Sequence, residues 1–198
     1  MQYNASRWFG RSWLVITAAL ASACADNAPL APVDATTARR VAAAADVSDG
    51  NRLPDLPAGC EKLGAPVGST LLLHAFGIGV QIYTWNGSSW GTAVPAATLY
   101  ADEGGHGVVA DHFAGPRWKS NSGSTVLGTV AERCTPDAAS IANLALNAFS
   151  DGAPGLFQSV NFIQRLNTVG GNAPSTPGFL GQVAKIPYTA DYLFYKTP

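Results

Sequence analysis

Three histidines, His74, His106 and His112, stand near Asp102, Glu103 and Asp111, and these side chains could support acid–base or metal chemistry. His106 and His112 are six residues apart, so on one continuous strand they would share a face. Gly104, Gly105 and Gly107 around His106 argue instead for a loop, where a histidine is normally solvated. Cys24, Cys60 and Cys134 lack the close pairs that zinc ligation uses, and no metal site is expected. His112 with the adjacent Asp111 is the pair on which a small extracytoplasmic hydrolase or metal-dependent enzyme would rest. Against that reading, the chain has no GxSxG nucleophile elbow, and Gly87-Ser88-Ser89 and Gly123-Ser124 read as hairpin turns. Asp102 and Glu103 are neighbours that would face opposite ways in a strand, which does not suit paired-carboxylate chemistry. A dinucleotide would need a strand–GxGxxG–helix unit that is absent. The residues assign no catalytic group and no cofactor, and the His112–Asp111 enzyme stands as the alternative to a binding or envelope-structural module.

Binding has better footing. Gln81, Tyr83 and Trp85 alternate with Val80 and Ile82, so one strand face carries two aromatic planes and an amide, a candidate ligand wall. On a strand read from Leu156 to Leu166, Gln164 shares a face with Val160, Phe162 and Leu166, while Arg165 shares the other with Asn161, Ile163 and Asn167. Gln164 is thereby expected inward among apolar residues, where its amide needs partners. His112 is expected to satisfy a backbone group at the Gly115-Pro116 turn, with Trp118 packing over it. The candidate ligand-binding set is Gln81, Tyr83, Trp85, His112, Trp118 and Gln164, for a carbohydrate or another small molecule. The competing reading makes Tyr83 and Trp85 a core layer and Gln164 a tie between strands.

The elements that must position these residues are short strands. Ser69–Phe76, Val80–Trp85, Ala97–Ala101, Val108–Phe113 and Ser124–Val130 are rich in β-branched and aromatic residues and bounded by turn residues, and Leu156–Leu166 and Tyr188–Tyr195 repeat the style. This predicts an all-β fold, an antiparallel β-sandwich or barrel-like single domain with short turns and at most one short helix. The helical candidate follows Cys134, where Thr135-Pro136-Asp137 resembles a cap; one helical turn and then a strand are expected. Charged residues make up 13% of the chain and the formal net charge is −1, so no basic surface is available for nucleic acid.

Arg7 and Arg11 precede the apolar run 13–21, and Ala21-Ser22-Ala23 places small residues before Cys24, the pattern of an export signal. The run is too short for a ~30 Å hydrocarbon core, which takes about 20 helical residues. Small residues directly before a cysteine also suit a bacterial lipobox, although its usual leucine is Ala21 here, with Leu20 one place further back. The expected organisation is a signal peptide at 1–23, a lipidated Cys24 with a disordered Ala/Pro-rich tether at 24–57, and the all-β domain at 58–198. The membrane is then a partner through Cys24, and the cell envelope the location; plain secretion with an unmodified Cys24 is the alternative. Within the tether, 38–45 has helix propensity for about two turns. An oxidising compartment favours pairing of Cys60 with Cys134, against two separate thiols.

Four strings occur in order after Gly68: Gly79-Val-Gln-Ile-Tyr83; His112-Phe-Ala-Gly-Pro-Arg-Trp118 followed by Gly123-Ser124; Phe162-Ile-Gln-Arg-Leu-Asn-Thr-Val-Gly-Gly-Asn-Ala-Pro174; and Tyr188-Thr-Ala-Asp-Tyr-Leu-Phe-Tyr195. Together they resemble the family catalogued as domain of unknown function 3455. The resemblance implies a secreted domain of bacteria and fungi whose biochemical role is not established. Some fungal members are labelled malate dehydrogenase, which the missing dinucleotide unit does not support. Many relatives carry a cysteine where this chain has Trp85 and another where it has Ser175-Thr-Pro-Gly178. If those two pair in the relatives, Cys60 and Cys134 are a replacement staple.

Overall fold

A computed structural model describes residues 55–198. The signal segment, Cys24, the tether up to residue 54 and the helical candidate at 38–45 lie outside those residues. Eight strands follow one another: β1 (Thr70–Thr84), β2 (Val94–Tyr100), β3 (Val108–Phe113), β4 (Arg117–Ser120), β5 (Thr125–Cys134), β6 (Asn143–Ser150), β7 (Phe162–Gly170) and β8 (Val183–Lys196). Each pairs antiparallel with the next, and β8 pairs back along β1 from Thr70–Lys196 to Thr84–Val183, closing a barrel. Closure leaves no strand edge unpaired. The all-β expectation holds in its barrel form, and the 3-10 turn Glu61–Leu63 is the only helical element among the described residues.

Several local expectations change. Two strands expected around Gly77 and Gly79 are one strand, β1, because these glycines mark close approaches rather than a turn. A Cβ on Gly77 would sit 2.6 Å from the Tyr192 ring, and one on Gly79 would sit 2.3 Å from the Ala96 carbonyl oxygen. The helical turn expected after Cys134 is absent. Instead, the Asp137 carboxylate accepts from the Ala139 N–H at 2.9 Å and the Ser140 hydroxyl at 2.8 Å, satisfying locally the groups that a helix would have used. The strand expected from Leu156 begins only at Phe162. Residues 156–160 form turns that bury Phe157 and Val160 in the core. The short β4 was not anticipated.

Alternation places Ala75, Leu99, Ala110, Trp118, Val126, Leu144, Leu146, Ala148, Ile163, Tyr188, Ala190, Tyr192 and Phe194 in one inner core. A second apolar layer lies outside the barrel. There Cys60 and Leu63 cover Ala145, Phe162, Leu166, Leu193 and Tyr195, so β7 and β8 are apolar on both faces. Residues 55–69 act as a strap across this outer face, and a disulfide joins Cys60 to Cys134 of β5, with Cα atoms 5.6 Å apart. In an up-and-down barrel alternate connections share an end. The connections after β1, β3, β5 and β7 therefore form one end, called the mouth here, and those after β2, β4 and β6 form the base.

Candidate functional site

The lower interior is filled. Phe157 lies against Phe194, with ring centroids 4.8 Å apart, and Trp118 meets Phe194 edge-on at 5.9 Å and Tyr192 at 5.7 Å. His112 stacks flat on Trp118, at 4.3 Å and 3° between planes, and its Nδ1 is 3.0 Å from the Arg117 carbonyl oxygen. His112 is 2% exposed. Burial, more than the neighbouring Arg165 charge, pushes its pKa down to about 3, so the ring is neutral at physiological pH. Asp111 is one residue away and therefore outside the barrel, where its Oδ1 is 3.5 Å from the Thr98 hydroxyl. The pair on which an enzyme reading would rest is split between the two faces of β3. His106 contacts Asp102 at 3.0 Å in the exposed connection after β2. Among the described residues no three His, Cys, Asp or Glu side chains group as metal ligands.

The mouth half of the interior is polar. Gln81 and Tyr83 point inward from β1, as their alternation with Val80 and Ile82 requires. The Tyr83 hydroxyl donates to the Gly171 carbonyl at 2.7 Å. Gly171 has φ +83°, and a Cβ there would sit 2.9 Å from Tyr188 Cβ, 3.1 Å from Ile141 Cγ2 and 3.3 Å from Gln81 Cγ. The Gly170-Gly171 step therefore lets backbone pass tightly over these side chains as a lid. The Ile141 N–H donates to the Gly170 carbonyl at 2.9 Å, and the Thr168 hydroxyl donates to the Ile141 carbonyl. Arg165 of β7 faces Tyr192 and Leu144 in register, both inner residues. Its Nε–H and Nη2–H donate to the Ala142 carbonyl at 3.2 and 2.7 Å. The Tyr188 and Tyr192 hydroxyls are 3.1 Å apart. Burial raises the pKa of both phenols, and the Arg165 charge partly opposes this, so both remain protonated. The Gln81 amide nitrogen and the Trp118 indole nitrogen are buried and lack a hydrogen-bond partner among the described residues.

Of the six candidate binding residues, then, Gln81, Tyr83, His112 and Trp118 share the barrel interior. Trp85 stands at the mouth, past the end of β1, where it meets Trp90 edge-on at 5.4 Å. Gln164 belongs to the other side of the wall. Its amide donates to the Leu63 carbonyl at 2.6 Å and its carbonyl accepts from the Tyr195 hydroxyl at 2.7 Å, fastening the strap. Gln164 is buried among apolar residues on the Phe162 and Leu166 face with its amide partnered, as expected, but the layer it joins is the second core that the strap forms outside the barrel. The residue that sequence reasoning missed is Arg165. Its alternation with Ile163 carried the signal, since Ile163 is fully buried and a strand places both on one face.

The model of one protein family matches residues 66–196, and its description is "Protein of unknown function (DUF3455)". The chain belongs to this family. Its match spans all eight strands and the last residues of the strap, so the barrel, its lid and Arg165 lie within the family region. No curated protein and no solved structure matches the chain.

Proposed function

We propose that this chain is an exported domain, held at the bacterial cell envelope by a lipid on Cys24 or released outside the cell, that binds a small molecule at the mouth of its barrel. Gln81 carries this reading. Its amide nitrogen is buried and without a partner, beneath a lid pinned by Tyr83, whereas buried polar groups in native proteins are normally paired. The scale fits as well, because an eight-stranded barrel encloses either its own side chains or one small ligand, and stacked aromatics fill the base half here while the mouth half carries the polar side chains. Trp85 and Trp90 flank the entrance and offer apolar planes to a sugar ring or an aromatic group. Less supports the enzyme alternative, since His112 is neutral and Asp111 lies on the opposite face.

The reading is tested by thermal unfolding of the full chain with neutral sugars, amino acids, organic acids and phosphate, and by retention on peptidoglycan and polysaccharide resins. At least one compound should raise the melting temperature of wild type and leave Gln81→Leu unchanged. Stabilisation by none, or equal stabilisation of both proteins, would overturn it. For the location, mass spectrometry of the native N-terminus should find an acylated Cys24, and Cys24→Ser should release the protein to the soluble fraction. A mature chain starting at unmodified Cys24 would leave export and remove the anchor.

A further inference from the structure

Two buried donors of the barrel interior lack a hydrogen-bond partner among the described residues. Gln81, in the mouth half, offers its amide nitrogen and Trp118, in the aromatic layer below, its indole nitrogen, both buried and unpartnered, with Gln81 only 2% exposed. Arg165 has five N–H donors; two bonds go to the Ala142 carbonyl, the Tyr192 hydroxyl is a further hydrogen-bond partner, and no carboxylate is among its partners in the described residues. The ion pairs among those residues, Lys62–Glu132, His74–Asp191 and His106–Asp102, do not include Arg165. A guanidinium inside a barrel, half-buried and without a carboxylate, is uncommon because charge taken from water is normally paired. Tyr83, Tyr188 and Tyr192 surround the same region, and the positive charge of Arg165 is felt at all three and at His112. Among the described residues no acidic side chain balances it there: Asp111 and Asp191 both lie on the outer side, Asp111 near Thr98 and Asp191 accepting from the Asn167 amide at 2.6 Å.

From this we infer that the mouth takes a small organic monocarboxylate, its oxygens received by Arg165 and the Gln81 amide and its carbon skeleton by the surrounding tyrosines. The inference rests on the reading that the mouth is a binding site, and it adds the ligand's charge and size. A carboxylate supplies acceptors only and matches the planar guanidinium fork. One cation compensates one negative charge. Inorganic phosphate, which carries more than one at neutral pH, would enter this apolar surrounding with charge left over. The size limit comes from the His112–Trp118 stack and the Phe194–Phe157 contact, which occupy the space below.

The test compares benzoate with benzamide, its neutral counterpart of the same shape, and with inorganic phosphate, by calorimetry on the full chain at constant ionic strength. Benzoate should bind and benzamide should bind about tenfold or more weakly, the change expected when a charge-assisted hydrogen bond is lost. Arg165→Lys, which keeps the charge and removes the fork, should weaken benzoate by a similar factor while unfolding cooperatively. Equal binding of benzamide and benzoate, both lost in Gln81→Leu, would overturn the charge assignment and leave the binding site standing. Phosphate binding as tightly as benzoate would overturn the restriction to a monocarboxylate. If benzoate fails while a neutral sugar stabilises the wild type, the inference fails alone; if no compound binds, it fails together with the binding-site reading. The benzamide comparison decides the matter even should Arg165→Lys not fold.

Discussion

Lowering the pH from 7 to 5 should destabilise the barrel through His112. The ring is 2% exposed, stacked on Trp118, and has a folded pKa of about 3 against 6.5 for the ordinary side chain. Above pH 6.5 the folded and unfolded chains both hold it neutral, and it contributes no pH dependence. Between 6.5 and 3 the unfolded chain binds a proton that the folded chain excludes, so stability falls as pH falls. Linkage with these two values makes the loss about 2 kcal/mol between pH 7 and pH 5. For a domain of this size that lowers the melting temperature by roughly 4–8 °C. Carboxylates such as Asp102, Asp137 and Asp151, whose pKa values are lowered by hydrogen bonds to the backbone, titrate below this window. The assay is thermal unfolding followed by circular dichroism at half-unit pH steps, on wild type and His112→Phe. The phenylalanine keeps the stack and loses the bond to the Arg117 carbonyl, so its baseline should fall by about 1 kcal/mol. Its melting temperature should then change little across the window. A wild-type melting temperature constant from pH 7 to 5, an equal slope in His112→Phe, or a His112 resonance that titrates in this range would refute the reasoning.

Gln164→Leu should cost about 1–3 kcal/mol in urea unfolding, since it strands the Leu63 carbonyl and the Tyr195 hydroxyl, and should leave ligand binding unaltered; no loss of stability would contradict its role in holding the strap. Gln81→Leu without ligand should be neutral or stabilising in the same assay, because it removes a buried donor that has no protein partner, and a large loss would show that the amide has a structural task. The double variant Trp85→Cys, Gly178→Cys should form a second disulfide on oxidation, because a Cβ on Gly178 would sit 3.2 Å from Trp85 Cβ, close to the spacing that a disulfide needs. Two free thiols after oxidation, counted by alkylation and mass spectrometry, would refute that pairing.

Alternation carried most of what the sequence conveyed. It placed Gln81 and Tyr83 on one face of their strand, and the barrel puts that face inside. It separated Arg165 from Gln164 correctly but could not say which face was the interior, because β7 is apolar on both sides. The deciding contact is Leu63 against that outer face, about a hundred residues away in sequence, and local pattern does not encode such a pairing. The glycines misled for a related reason. Gly77 and Gly79 resemble turn residues until Tyr192 and Ala96 are brought against them from other strands. The Asp137 segment read as a helix cap because the same carboxylate geometry serves an isolated turn. For the candidate site, Tyr83 and His112 were found as types that interact with ligands. The significance of Arg165 depends on the absence of a carboxylate partner nearby, which only the three-dimensional arrangement reveals.

The central claim, that the barrel mouth receives a small carboxylate, is tested most directly by two-dimensional NMR of the full chain with 15N-labelled glutamine and arginine side chains. Gln81→Leu and Gln164→Leu assign the two amides. On titration with benzoate, the Gln81 amide and the Arg165 Nε–H signals should shift together and saturate, while the Gln164 amide, fastened to Leu63 and Tyr195 outside the barrel, should stay in place. Unmoved Gln81 and Arg165 signals, or Gln81 and Gln164 moving alike, would contradict the claim.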